Sequence, residues 1–287
     1  MTRTTLRFTI MAAAIASAIC GTSAVAARLD DVEAVPHLDS RGKEGYAEFL
    51  SAGKHRAFVI APGGAWAWEG AGTTAESATE AALEVCRQQT VQRCVPYAVD
   101  DDLVFDAKGW VKLWGPYPSR AEARRAHTGK ELGDRFFDLA IRSPGGKPMK
   151  LSGLRGKVVV LHFWGSWCPS CRREMPELQK LDRALGASSG VRLVLLQTRE
   201  NIATARQWAQ QQNVTIPLHD SGVKDAATEF LTLANGKAIS DRSLSAAFPT
   251  TYVLDKNGIV VFSHIGPVPD WSQYLPFLRD VAAASGK

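Results

Sequence analysis

The sequence predicts an α/β domain in its second half, preceded by a small α+β domain. An apolar run from Val158 to Trp164 is typical of a strand buried on both faces, and a helical stretch follows it after a short loop. In the first half, short strand-like segments surround one amphipathic helix. A length of 287 residues is compatible with two such domains.

The composition indicates a protein that forms a hydrophobic core. Hydrophobic residues make up 45% of the chain and charged residues 22%, which excludes wholesale disorder. The formal net charge is only +5, and Arg3 and Arg7 supply two of these charges from a segment that we expect to be removed. This charge is too small and too dispersed for a nucleic-acid-binding surface. We therefore expect no nucleic acid as a partner.

The first 26 residues have the pattern of a cleavable signal peptide. Arg3 and Arg7 form a basic start, Phe8–Cys20 is a short apolar run, and Ala24–Ala26 is a small-x-small cleavage site. The other interpretation is an N-terminal core helix, but the run is rich in alanine and has no polar face. We predict export to the periplasm.

Cleavage after the predicted signal peptide leaves four cysteines, namely Cys86, Cys94, Cys168 and Cys171. An even number of cysteines in an oxidising compartment favours pairing. The four fall into two local pairs, one in each half of the chain. The surroundings of the two pairs differ, so we expect them to have different roles.

The first domain, residues 27–114, is predicted to contain one helix and three or four strands. The helix is capped by Thr73 or Thr74 and runs to about Gln88. The strands are His55–Ile60, Ala65–Trp68, Cys94–Val99 and, as the fourth, Leu103–Phe105.

Cys86 lies at the end of this helix and Cys94 at the start of the next strand. A bond between them would tie the helix to the sheet and restrict the unfolded chain. Their spacing matches no zinc-binding pattern well. We interpret the pair as a structural disulfide.

Residues 115–132 are predicted to form a linker, with the second domain at residues 133–287. The segment is rich in Pro, Gly and basic residues. Ser119 and Glu122 have the spacing of a capping box, which predicts a short helix. Its arginines, Arg120, Arg124 and Arg125, fit either a solvated helix face or a patch for an anionic surface, and we favour the solvated face.

The strand Val158–Trp164 leads into the motif Cys168-Pro169-Ser170-Cys171, followed by a predicted helix over Arg172–Leu185. Cys168 is therefore predicted to lie at a helix N-terminus, where backbone N–H groups and the helix dipole favour a thiolate. Cys171 follows one turn later, and Pro169 suits a first helical turn. This arrangement predicts thiol–disulfide exchange, in which Cys168 attacks and Cys171 resolves the mixed disulfide.

Three other interpretations of the CxxC motif fit the sequence less well. Half of a zinc site would need a second CxxC or a close histidine pair, and neither follows. A structural disulfide with a two-residue spacer would close a tight, usually reducible loop, and the chemistry of a peroxidatic cysteine does not require a CxxC. We expect no metal and no cofactor.

Two separate stretches resemble the TlpA/ResA-like branch of the thioredoxin superfamily. They are LSGLRGKVVVLHFWGSWCPSCRREMPELQKL, starting at Leu151, and FPTTYVLDKNG, starting at Phe248. The resemblance covers about residues 133–285. It implies a thioredoxin fold, a mixed sheet of four to five strands flanked by helices. Its further strands would be Val191–Gln197, Thr251–Leu254 and Ile259–His264, with a last helix over Asp270–Ala284 and a helix plus surface insertion within Gly222–Asp241.

The resemblance also implies roles for individual residues. Pro249 would be a cis proline beside the CxxC, exposing the backbone of Phe248 to an extended substrate segment. Trp164 and Trp167 would form an apolar rim, so that Trp167, Pro169, Phe248 and Pro249 are the predicted substrate-binding residues. Pro176 matches a helix kink of the family.

Two ionisable residues near the motif leave alternatives open. Glu174 matches an acidic position thought to tune the cysteines in the family, and it could accept the proton released by Cys171. It could equally be a solvated helix residue. His162 departs from the Asn or Asp that related proteins usually carry, and it is either a proton relay or a hydrogen-bonded core residue. We favour the core residue.

The favoured function is a periplasmic thiol–disulfide oxidoreductase acting on protein cysteines or disulfides. The resemblance implies a reductant that a membrane electron donor keeps reduced. The alternative is a non-enzymatic scaffold whose first domain binds a partner, since Trp66 and Trp68 look exposed in the sequence. Such a scaffold has no need for both Cys168 and Cys171.

Overall fold

The protein is described from a computed structural model. It covers residues 28–38, 40–62, 64–90, 92–268 and 270–286. The predicted signal peptide over residues 1–26 lies outside this range.

The strands are numbered in chain order. They are β1 (Ala57–Ile60), β2 (Trp66–Glu69), β3 (Val95–Val99), β4 (Asp102–Leu103), β5 (Thr128–Gly129), β6 (Arg135–Phe136), β7 (Ala140–Arg142), β8 (Pro148–Lys150), β9 (Val158–Trp164), β10 (Val191–Gln197), β11 (Leu218–His219), β12 (Phe230–Thr232), β13 (Ala238–Ser240), β14 (Thr250–Leu254) and β15 (Val260–Ile265).

The helices are α1 (Ser40–Ser51), α2 (Ala75–Gln89), α3 (Ala107–Trp110), α4 (Arg120–Arg125), α5 (Pro169–Leu185), α6 (Ile202–Gln211), α7 (Asp241–Leu244) and α8 (Leu275–Ala284). Short 3-10 turns occupy Val32–Ala34, Val111–Leu113, Leu151–Leu154 and Trp271–Tyr274. Within the described part of the chain, no helix combines the length and the apolar character that a membrane crossing requires.

The first half contains an antiparallel sheet in the order β2-β1-β3-β4. Alternate residues of β1 point to opposite faces, as strand geometry requires. Phe58 and Ile60 pack in one cluster with Tyr46 and Phe49 of α1. The other face of β1 packs against α2, whose buried residues are Ala78, Ala82 and Cys86. One helix therefore covers each face of this sheet.

Trp66 and Trp68 are half-buried on the α1 side of the sheet. The ring of Trp66 stacks on Phe58 with 5.7 Å between centroids. Both tryptophans therefore contribute to the packing of α1, and they are less exposed than the scaffold interpretation assumed.

Cys86, in the last turn of α2, forms a disulfide with Cys94, which directly precedes β3. The bond links the helix on one face of the sheet to a strand of that sheet. Thr74 caps the other end of α2, where its side chain accepts a hydrogen bond from the backbone N–H of Ser77.

The connecting segment packs against the second half of the chain. Ser119 and Glu122 form the predicted capping box at the start of α4. The hydroxyl of Tyr117 donates a hydrogen bond of 2.6 Å to Asp280 of α8. Earlier in the chain, the ring of His37 stacks on Tyr274 with 4.3 Å between centroids. The two halves are therefore in direct side-chain contact.

The second half contains a five-stranded mixed sheet in the order β11-β10-β9-β14-β15. Strands β9, β10 and β11 are parallel, whereas β14 runs antiparallel to both β9 and β15. This is the mixed sheet of a thioredoxin fold, which confirms the predicted fold class.

All seven residues of β9 are buried. Val158, Val160 and Trp164 share one cluster with the inner sides of α5, α6 and α8. Val159, Leu161 and Phe163 pack on the opposite face with residues of β6, β7, β12 and α7. The long helices therefore lie on one face of the sheet, and short strands cover most of the other.

Two details of the second half differ from the sequence-based expectation. The predicted helix within Gly222–Asp241 is wrong, because the hairpin β12–β13 occupies most of this segment. Its turn contains Asn235-Gly236, and Gly236 has a φ of 83°, a conformation that glycine adopts without strain. Helix α6 was not predicted, although the side chain of Asn201 caps its start.

The Cys86–Cys94 disulfide is expected to stabilise the first domain. Replacing both cysteines by alanine frees a short loop in the unfolded chain, and the loss should be about 2–3 kcal/mol in the free energy of unfolding. Urea unfolding of the double variant, followed by circular dichroism, measures it. An unchanged transition would show that the bond contributes no stability.

Candidate active site

The site lies where β9 ends and α5 begins. Cys168 is the N-cap of α5, and Pro169 is the first residue of the helix. The Sγ of Cys168 accepts a hydrogen bond of 3.2 Å from the backbone N–H of Cys171. The two cysteines are joined in a disulfide, and Cys168 retains 3% exposure while Cys171 has none. Cys168 is therefore the sulfur nearer to solvent.

Strand pairing brings Phe248 and Pro249 beside the motif. Phe163 near the end of β9 pairs with Thr250 at the start of β14, so the residues before β14 reach the CxxC. The peptide bond between Phe248 and Pro249 is cis. The carbonyl oxygen of Phe248 lies 3.6 Å from the Sγ of Cys168 and accepts a hydrogen bond of 3.2 Å from the Ser170 hydroxyl.

Trp167 forms the exposed apolar surface next to the cysteines. Its side chain is 44% exposed, and its ring meets that of Phe248 edge-on at 5.5 Å. The indole N–H donates a 2.8 Å hydrogen bond to the carbonyl of Thr198. Gly165 makes room for this ring, since a Cβ there would lie 2.2 Å from the indole nitrogen.

Trp164 does not belong to this surface. It is fully buried, and its ring packs 5.5 Å from that of Trp208 on α6. Alternation along β9 explains the difference, because Trp164 is still in the strand and points toward the helices, whereas Trp167 lies in the loop beyond it.

Glu200 holds the loop that precedes Cys168, and sequence reasoning missed it. Its carboxylate accepts a 2.6 Å hydrogen bond from the backbone N–H of Ser166 and a second hydrogen bond from the Ser166 hydroxyl. Glu200 is buried despite its charge. The two residues are 34 positions apart, and no local pattern connects them.

Glu174 is buried, which excludes the alternative that it is a solvated helix residue. Its Oε1 accepts hydrogen bonds of 3.1 Å from the backbone N–H of Val268 and 2.8 Å from the indole N–H of Trp271. Burial raises the pKa of Glu174 to about 7, against the opposing effect of these two donors. The carboxyl group can therefore gain or lose a proton near neutral pH.

His162 is fully buried on the helix side of β9. Its Nδ1 is 2.8 Å from the hydroxyl of Thr251 on the neighbouring strand. Its Nε2 lies 3.9 Å from Oε2 of Glu174. Burial lowers the pKa of His162 to about 3, so the ring is neutral and this contact is not a salt bridge.

The remaining predicted residues are three prolines around the motif. Pro169 is exposed at the start of α5, Pro249 is buried behind Phe248, and Pro176 lies inside α5. Among the described residues, no group of three or more His, Cys, Asp or Glu side chains is arranged to hold a metal ion.

Comparison with known proteins gives matches to this half of the chain. The Redoxin family matches residues 131–275. The chain belongs to the Redoxin family.

Among curated relatives, the thioredoxin-like protein YneN of Bacillus subtilis is 27% identical over 143 residues, which are 50% of this chain and 76% of the relative. The thiol-disulfide oxidoreductase ResA of Geobacillus kaustophilus is 30% identical over 133 residues, 46% of this chain and 68% of the relative. The thiol:disulfide interchange protein DsbE of Pseudomonas aeruginosa is 30% identical over 141 residues, which are 48% of this chain and 69% of the relative.

This Redoxin family member is a TlpA/ResA-like protein of the thioredoxin superfamily, as its sequence resemblance implied. It is an enzyme of thiol–disulfide exchange. The family match begins at residue 131, so the first domain lies outside it.

The buried carboxyl of Glu174 is expected to make stability depend on pH. Because its pKa rises from 4.5 in the unfolded chain to about 7 in the folded protein, its favourable contribution is complete below pH 4.5 and is lost as the pH rises through 7. Glu174→Gln mimics the protonated acid. Relative to this variant, the wild type should lose about 2–3 kcal/mol between pH 5 and pH 8.

Urea unfolding of both oxidised proteins across this pH range measures the difference. A difference that is the same at every pH would show that the carboxyl of Glu174 titrates with the same pKa in the folded and unfolded states.

Proposed function

We propose that the protein is an exported oxidoreductase that reduces disulfides in protein substrates through Cys168 and Cys171. The observation that carries the proposal is the position of Cys168. Its sulfur caps a helix N-terminus, where the N–H of Cys171 donates to it, and it adjoins the exposed Trp167–Phe248 surface. The relatives named thiol-disulfide oxidoreductase and thiol:disulfide interchange protein support this chemistry.

The reaction proceeds through a mixed disulfide. In the reduced enzyme, the Cys168 thiolate attacks one sulfur of the substrate disulfide, and the other substrate sulfur leaves as a thiolate. Cys171 then attacks the Sγ of Cys168 and releases the second substrate sulfur. The substrate gains two electrons, and the enzyme ends as the Cys168–Cys171 disulfide. Because both cysteines lie on one helical turn, the second step is intramolecular and fast.

The surface around Cys168 fits an extended peptide segment. Trp167 and Phe248 offer apolar area, and the Arg242 guanidinium lies over the Phe248 ring at 5.3 Å. We assign substrate contact to Trp167, Pro169, Phe248 and Pro249. Glu174 lies one turn after Cys171 on α5. We assign it the role of accepting the proton that Cys171 releases when its sulfur attacks Cys168.

The burial of Cys171 supports the reducing direction. A strong oxidant has a stabilised reduced form. Here Cys171 has no exposure and a carboxyl group one turn away, and both features disfavour its thiolate. A reductant needs a supply of electrons. We therefore include a membrane electron donor and a periplasmic location in the proposal, the latter from the pattern of residues 1–26.

Serine variants of the two cysteines separate their roles. Cys168→Ser should reduce a protein disulfide such as insulin no faster than the uncatalysed reaction, because the attacking sulfur is absent. Cys171→Ser should accumulate a mixed disulfide with the substrate, visible on a non-reducing gel. The Cys86→Ala/Cys94→Ala double variant is the matched control and should keep its exchange activity. An active Cys168→Ser variant would refute the assignment.

The reduction potential tests the direction of the reaction. Equilibration of the Cys168–Cys171 pair with dithiothreitol or glutathione buffers should give a value at or below that of thioredoxin, about −270 mV. A value close to that of DsbA, about −120 mV, would make the protein an oxidant or isomerase.

A further inference from the structure

We propose that His162 is a positioning residue for Glu174, and that the two side chains hold one exchangeable proton between Nε2 and Oε2 while Cys171 resolves the mixed disulfide. The inference rests on the proposed function of the Cys168–Cys171 pair. It extends that function by giving a role to a histidine that sequence analysis favoured as an ordinary core residue.

The two side chains face each other with their unpaired atoms. Oε1 of Glu174 is occupied by donors from Val268 and Trp271, and Nδ1 of His162 by the Thr251 hydroxyl. Oε2 and Nε2 are buried, and among the described residues neither has a hydrogen-bond partner. They lie 3.9 Å apart. Each side chain is therefore held by hydrogen bonds to one of its polar atoms, and its second polar atom faces the other side chain.

Buried polar atoms without partners are uncommon in folded proteins, because desolvation is then uncompensated. An approach of about 1 Å would bring Oε2 and Nε2 within hydrogen-bond distance. The proposed contact therefore requires a side-chain rotation of one or both residues. The reduced enzyme and the mixed disulfide are the states in which this contact would operate.

A neutral imidazole can serve both protonation states of Glu174. When Glu174 is an acid, its O–H donates to Nε2, and Nδ1–H donates to the Thr251 hydroxyl. When Glu174 is a carboxylate, Nε2–H donates to Oε2, and the Thr251 hydroxyl donates to Nδ1. A threonine hydroxyl both donates and accepts, so it permits either tautomer. Each change in the protonation state of Glu174 is accompanied by a change of ring tautomer, in which the ring keeps one proton. The bond from Nε2–H to the carboxylate is charge-assisted and is the stronger of the two, so the ring favours the carboxylate.

Few other ionisable groups adjoin this pair. Cys171 lies one turn before Glu174 on α5, and His264 of β15 is opposite Thr251 in the sheet. Burial alone lowers the pKa of His162, and burial is the largest influence on Glu174. No charged side chain of the described residues contributes to either pKa shift. The proton affinity of Glu174 is therefore set by its burial and by its immediate hydrogen-bond partners.

The proton balance of the resolution step follows from this arrangement. The Cys171 thiol loses its proton to the Glu174 carboxylate as its sulfur attacks the Sγ of Cys168, and the substrate sulfur leaves as a thiolate. Without the His162 donor, the carboxylate is less stable and Glu174 remains protonated to a higher pH. Fewer molecules can then accept the proton at neutral pH, and resolution is slower.

The test measures the rate of resolution of a preformed mixed disulfide between pH 5 and pH 9. His162→Phe should shift the acidic limb of the profile to higher pH by about one unit. At a pH below the limb, resolution in the variant should therefore be about tenfold slower than in the wild type. His162→Gln, whose amide can donate and accept at a similar reach, should restore the wild-type profile. His219→Phe removes a half-buried histidine of the same sheet and should leave the profile unchanged.

A second readout does not depend on turnover. The carboxyl ¹³C chemical shift of Glu174, followed by NMR in the reduced protein, should give a higher pKa in His162→Phe than in the wild type. If both the rate profile and this titration are unchanged in His162→Phe, the proposal is wrong and His162 has only a packing role.

Two further comparisons keep the outcome decisive. If His162→Phe fails to fold, His162→Asn and His162→Gln replace it: the shorter amide cannot reach Glu174, so only Asn should shift the profile, and equal profiles would overturn the proposal. If the wild type shows no Cys168-dependent exchange at all, the proposed function itself fails, whatever the NMR titration shows.

Discussion

The second half of the protein depends on the complete burial of β9. A strand with seven buried residues must be covered on both faces, so α5, α6 and α8 pack on one side and short strands on the other. The same strand ends at Trp164, and the loop to Cys168 begins at Gly165. The Cys168 sulfur therefore follows directly from a central element of the fold and lies beside the segment that precedes β14.

The two cysteines share one helical turn but have opposite surroundings. Cys168 is at the helix N-terminus, next to solvent and to the apolar surface of Trp167 and Phe248. Cys171 is enclosed among core side chains, with Glu174 one turn further on. In the proposed reaction, the first environment favours attack by the Cys168 thiolate, whereas the second favours a protonated Cys171 thiol until a base accepts its proton.

The short turn Trp271–Tyr274 joins the site to the first domain. Trp271 donates a hydrogen bond to Glu174, while Gln273 accepts one of 2.6 Å from the backbone N–H of His37, whose ring stacks on Tyr274. The first domain thus packs against the segment that orients the buried carboxyl. The same short turn therefore contacts the first domain and donates a hydrogen bond to Glu174.

Several features are encoded by local patterns in the sequence. An apolar run identifies β9, capping residues identify α2 and α4, and the strand–CxxC–helix order places Cys168 at an N-cap, because each signal lies within a few residues. The family resemblance adds β10. The Asn235-Gly236 turn and the Asn201 cap are equally local and were overlooked. Other features arise from tertiary packing: Glu174 is buried, it faces His162, and Glu200 holds Ser166. These contacts join distant segments across a shared core, and no spacing in the sequence specifies which side chains meet there.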